Sequence, residues 1–108
     1  MKRILGLLAV TVLALAMCAA GAEMKGAISD KMCGADHKGQ DPVKCTLSCV
    51  EHGSPFVLVI SKDKILDIEN QKDAKIAAEL KKHAGHNVTV TGTMSRDGKS
   101  VKIDKITM

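Results

Sequence analysis

Apolar residues change their rhythm several times along this chain, and each rhythm predicts an element. Behind Lys2 and Arg3, Ile4 to Ala16 is a continuous run of apolar or small residues. From Glu23 to Ser29 the pattern alternates, with Met24, Gly26 and Ile28 on one face, which predicts a first strand bent at Gly26. Asp30 to Gly53 is poor in the apolar residues that build the core elsewhere. Within it Asp41-Pro42 predicts a helix start, with Asp as N-cap and Pro at the first helical position, and Gly53 a stop after about His52. Val43, Leu47 and Val50 make the stripe expected to face the core. Cys45, Cys49 and His52 repeat that spacing about 200° around the axis.

The second half reads mainly as strands. Phe56 to Ile60 is continuously apolar and predicts a strand covered on both sides, turned by Lys62-Asp63-Lys64 into a second strand, Ile65 to Glu69. Asn70 is placed as the cap of a helix over Gln71 to His83, with Ile76, Leu80 and Ala84 inward and Gly85 as terminator. Asn87 to Met94 alternates, Asp97-Gly98 turns the chain, and Ser100 to Met108 completes a hairpin. Val101 and Ile103 share a parity that Ile106 and Met108 break, so a bulge is expected near Asp104 or Lys105. The fold class that follows is mostly β with two helices. Its expected architecture is a small five-stranded OB-like barrel, with the cysteine-bearing helix inserted between strands one and two. The alternative is an open α+β sheet.

The first residues change the picture of domain organisation. Lys2-Arg3, the apolar run and Ala20-Gly21-Ala22 have the three parts of a secretory signal peptide, and the run is short for a membrane span. We therefore read residues 1–22 as a signal peptide and 23–108 as a single domain, periplasmic or secreted. Leu15-Ala16-Met17-Cys18 is a second reading, a lipobox with a lipid anchor at Cys18, disfavoured by Met17.

Charge and aromatic content exclude one class of partner. The chain has 16 Lys/Arg against 12 Asp/Glu. Lys2 and Arg3 leave with the leader, and the remaining basic residues are spread out. Phe56 is the only aromatic residue. No basic cluster and no stacking platform for bases means no nucleic-acid footprint.

The chemistry concentrates in Cys33, His37, Cys45 and Cys49, spaced C-x3-H-x7-C-x3-C, with His52 following. Thiolates and imidazoles are the ligands of zinc and softer ions. Cys45 and Cys49 lie one helical turn apart, and Cys33 and His37 arrive from the preceding loop. The expected metal set is Cys33, His37, Cys45 and Cys49, with His52 in reserve and Met32 as a neighbour suited to Cu(I). The ion is zinc-like or copper-like. The competing reading is a disulfide. Neighbouring Cβ atoms at i, i+4 on a helix sit about 5–6 Å apart, against the roughly 3.5–4.5 Å that a disulfide wants. Cys33 with either helix cysteine is then the expected bridge, and one thiol is left over. There is no C-x-x-C motif, no C-x-x-C-H for covalent haem, and no set spacing linking Asp30, Asp36 or Glu51 to a nucleophile. His83 and His86 read as surface residues at a helix end.

Gly26-x-Ile28-x-Asp30-x-x-Cys33-Gly34, His37, Cys45-x-x-x-Cys49-Val50, Gly53, and Ala84-Gly85-x-x-Val88-x-Val90-x-Gly92 resemble a family of small exported bacterial proteins without assigned activity. The resemblance covers most of the chain after the leader, with Phe56 as the family's aromatic after Gly53. It implies an OB-like fold and export. The function expected from the residues is a non-enzymatic, exported metal-binding domain. The alternative is a disulfide-stapled module that holds a small ligand or protein partner.

Overall fold

The structure, a computed structural model, describes residues 21–37 and 39–108. The signal peptide, but for its last two residues, and the Cys18 lipobox lie outside the described residues. Among the described residues five strands and two helices follow in order: β1 (Ala22–Asp30), α1 (Pro42–Glu51), β2 (Phe56–Ser61), β3 (Lys64–Ile68), α2 (Ala74–Lys82), β4 (Asn87–Met94) and β5 (Ser100–Thr107). The strands hydrogen-bond in the order β1-β2-β3-β5-β4 and close into a ring, so the sheet is not open.

β1 serves two partners. Its first part, Ala22 to Ala27, pairs antiparallel with β4, and its last part, Ala27 to Asp30, pairs with β2. The change of partner falls beside Gly26, as the bend predicted there requires. A Cβ at Gly26 would stand 2.6 Å from the Val59 carbonyl oxygen, so only glycine lets the strands approach this closely. The expected bulge in β5 is present. Thr91 pairs with Lys105 and Gly92 with Ile103, leaving Asp104 as the extra residue.

The ring closes through a short parallel seam, in which Asp67 pairs with Ser100 and Ile68 with Val101. Asn70 extends that seam with its side chain. Its amide accepts from Ile103 N (2.9 Å) and donates to Ile103 O (2.7 Å), as the next backbone group of a strand would. Gln71 acts similarly across β2 and β3, accepting from Phe56 N (2.9 Å) and donating to Phe56 O (3.2 Å) and Ile68 O (3.0 Å). This corrects the expected helix start. α2 begins later, at Ala74, because the Asp73 carboxylate caps it through Lys75 N and Ile76 N.

The core fills the ring. Ile28, Leu58, Leu66, Val90, Val101 and Ile103 are fully or almost fully buried, and Ile76, Leu80 and Ala84 join them from α2 and its end. His83, expected at the surface, is buried. Its Nε2 lies 3.4 Å from a Glu79 carboxylate oxygen and its Nδ1 has no hydrogen-bond partner. His86 is exposed as expected.

Helix α1 packs against β1, and its start rests on Gly85. It turns a different face inward from the one its apolar stripe predicts. Cys45 and Thr46 are the buried residues, Val43, Cys49 and Val50 are half-buried, and Leu47 is exposed. The cysteine side of the helix is therefore the docked side. Among the described residues no helix is long and apolar enough to cross a membrane.

Candidate metal centre

Four residues from three successive pieces of chain meet where β1 ends. Asp30 is the last residue of β1, paired with Phe56 and sharing the inward parity of Ile28; it is completely buried. One of its oxygens, Oδ2, accepts a hydrogen bond from Cys33 N (2.9 Å), while Oδ1 has no hydrogen-bond partner. The turn that follows is tied locally. Gly34 N donates to Asp30 O (2.9 Å), and Ser29 Oγ donates to Gly34 O (2.7 Å). It is also tied to the chain after α1, through Lys31 N to Pro55 O (3.0 Å) and Met32 N to Ser54 Oγ (3.2 Å). Cys33 is thereby held over the helix from both sides.

α1 brings the other two sulfurs. Asp41 caps it by accepting from Val43 N (3.0 Å), Pro42 fits its first turn, and Gly53 at φ 100° ends it. Cys33 Sγ lies 3.0 Å from Cys45 Sγ and 3.7 Å from Cys49 Sγ. The three sulfurs and an Asp30 carboxylate oxygen all lie within 4.8 Å of one another, a set able to hold a metal ion. Among the described residues Cys33, Cys45 and Cys49 are free, with no pair at bonding distance.

Crowding favours the protonated forms of Cys33 and Cys49. The hydrogen bond with Cys45, followed by burial, the hydrogen bond with Cys49 and the negative charge of Asp30, pushes Cys33 up to about 12. Burial pushes Cys49 up as well, against the lowering effect of its hydrogen bond with Cys33. An incoming cation must therefore displace protons from sulfur.

The structure brings together three of the four expected ligands and sets the fourth apart. His37 turns toward β1, with Nε2 3.5 Å from Ser29 Oγ and Nδ1 without a hydrogen-bond partner. Asp30 takes the fourth place. The D-x-x-C spacing at a strand end was the available signal, since such a side chain can accept from the backbone three residues on. His52, the reserve, is exposed and donates from Nδ1 to Ser48 O (2.7 Å). Met32 is exposed on the rim. A cleft of about 300 Å³ opens beside the sulfurs, lined by Met32, Cys33, Asp36, His37, Gln40 and Cys45. No protein-family model matches this chain, and no curated protein or solved structure does either.

Proposed function

We propose that this protein is an exported, OB-like, non-enzymatic domain that binds one zinc-type divalent ion through Asp30, Cys33, Cys45 and Cys49. The observation that carries this reading is Asp30, fully buried beside three thiols with Oδ1 unpartnered. A buried carboxylate oxygen without a partner is costly, and a cation is the partner that three neighbouring sulfurs also suit. Tetrahedral zinc, with Zn–S near 2.3 Å, separates its sulfurs by about 3.8 Å. The Cys33–Cys49 distance of 3.7 Å fits, and the Cys33–Cys45 contact of 3.0 Å must open by under ~1 Å. A carboxylate donor suits zinc better than Cu(I), which prefers thiolate and thioether. Four protein ligands leave no open position for substrate, which supports a binding role over catalysis.

The ring order, the helix between β3 and β4 and the bent β1 support the OB-like assignment. The leader-like first residues support export. Elemental analysis of the purified protein tests the function. One equivalent of zinc is expected, retained in His37→Ala and lost or much weakened in Asp30→Asn. Zinc retained by Asp30→Asn and lost from His37→Ala would return the fourth place to the imidazole.

The 3.0 Å contact also favours a second reading, a Cys33–Cys45 disulfide with Cys49 spare, in a stapled module for a ligand or protein partner. Metal-free protein with one free thiol among Cys33, Cys45 and Cys49 would establish it.

A further inference from the structure

We propose that Cys33 and Cys45 form a hydroperoxide-reactive pair whose joining into a disulfide ejects the ion, an inference that rests on the metal reading above. Two independent observations single out this pair. Its sulfurs are 3.0 Å apart, against 3.7 Å for Cys33 and Cys49. The cleft of about 300 Å³ reaches these two cysteines, and Cys49 is not among its lining residues. The cleft gives access to Cys45, which is otherwise buried. The remaining pair, Cys45 with Cys49, is separated by one helical turn, a poor geometry for a bridge.

The chemistry balances with the hydroperoxide as the only oxidant. One thiolate sulfur attacks the peroxide, the O–O bond breaks, and the leaving oxygen takes a proton from solvent and departs as alcohol or water. The sulfenic acid so formed condenses with the second cysteine: the S–S bond forms, and the hydroxyl leaves as water with a second proton. The two sulfurs lose two electrons, the peroxide gains them, and zinc keeps its oxidation state throughout. Asp30 and Cys49 remain, two donors where a structural zinc site needs four. The same residues are then a metal site when reduced and a stapled loop when oxidised.

The test loads the reduced full chain with zinc and adds hydrogen peroxide. Zinc release is followed with a chromogenic chelator and bridging by mass mapping. Cys45 and Cys49 share the tryptic peptide 45–62, so fragmentation inside that peptide assigns the bridge. Zinc release and the Cys33–Cys45 bridge should rise together, and a thiol reductant with fresh zinc should restore the starting state. In metal-free samples, where bridging should be slower than in the zinc-loaded chain, Cys49→Ser should still form the Cys33–Cys45 bridge and Cys45→Ser should form none. A bridge to Cys49, sulfinic acid in place of a bridge, or zinc retained after peroxide each overturns the proposal. A reduced chain that never binds zinc overturns the metal reading. In that sample a peroxide-driven Cys33–Cys45 bridge still supports the reactive pair, and its absence overturns it.

Discussion

Asp30 ties backbone to site. Oδ2 fixes the Cys33 amide, Oδ1 is buried without a hydrogen-bond partner, and a carboxylate oxygen lies within 4.8 Å of all three sulfurs. Its charge also helps hold Cys33 and Cys49 protonated, and this has a pH consequence. A thiol whose pKa is raised by folding stays protonated where the unfolded chain has ionised. The contribution is fully present below the ordinary thiol value and is lost as pH climbs toward the folded value, about 12 for Cys33. Metal-free protein should therefore unfold at lower denaturant near about pH 10 than near about pH 8, on either side of the ordinary thiol pKa. Bound zinc, which holds the sulfurs as thiolates, should remove that loss. A metal-free midpoint unchanged between the two conditions would contradict the crowding described. The three cysteines were legible from their spacing alone. For Asp30 the D-x-x-C spacing was only a hint, because its burial depends on pairing with Phe56, far along the chain. His37 falls outside the sulfur cluster because ligand chemistry says which side chains can bind, while the turn decides where each one points.

At the scale of elements, the fit of α1 against Gly85 controls where two of the sulfurs stand. A Cβ on Gly85 would lie 2.5 Å from Val43 N and 2.8 Å from Pro42 C, at φ 79°. Gly39 has nearly the same φ, 81°, with nothing within 4 Å. Gly39→Ala thus carries the backbone penalty alone, about 1 kcal/mol, and Gly85→Ala adds a collision that must shift the helix. Gly85→Ala should lose more stability than Gly39→Ala and weaken zinc binding, read from denaturant midpoints and zinc titration. Equal losses with unchanged zinc affinity would show that the helix position does not matter. The boundaries of β4 and the β5 bulge followed from alternation and its break, and β2, one residue short, from a continuous apolar run. The docked face of α1 did not. Its apolar stripe suggested Val43, Leu47 and Val50, but docking turned Cys45 and Thr46 inward and left Leu47 in solvent.

The whole molecule is a ring whose weakest join is the parallel seam between β3 and β5, prolonged by the Asn70 side chain. Asn70→Ala would leave both backbone groups of Ile103 without that partner, a loss of about 1–3 kcal/mol. Amide exchange at Ile103 should accelerate, while zinc affinity should hold because the site stands at the end of β1. Unchanged exchange at Ile103 would mean that the seam does not depend on the side chain. Ring order was readable as a fold class from the sequence of elements, but Asn70 was read as a helix cap, since a side chain that imitates a strand leaves no periodic signal. The spacing of contacts along the chain bears on the order in which they form. The candidate ligands all fall between Asp30 and Cys49, whereas closing the ring brings Ala22 to Gly92. Short closures cost less chain entropy and form faster than long ones. An emerging chain can fasten its metal loop before residues 87–92 arrive, so the ion would act first as a nucleus that sets the end of β1 against α1.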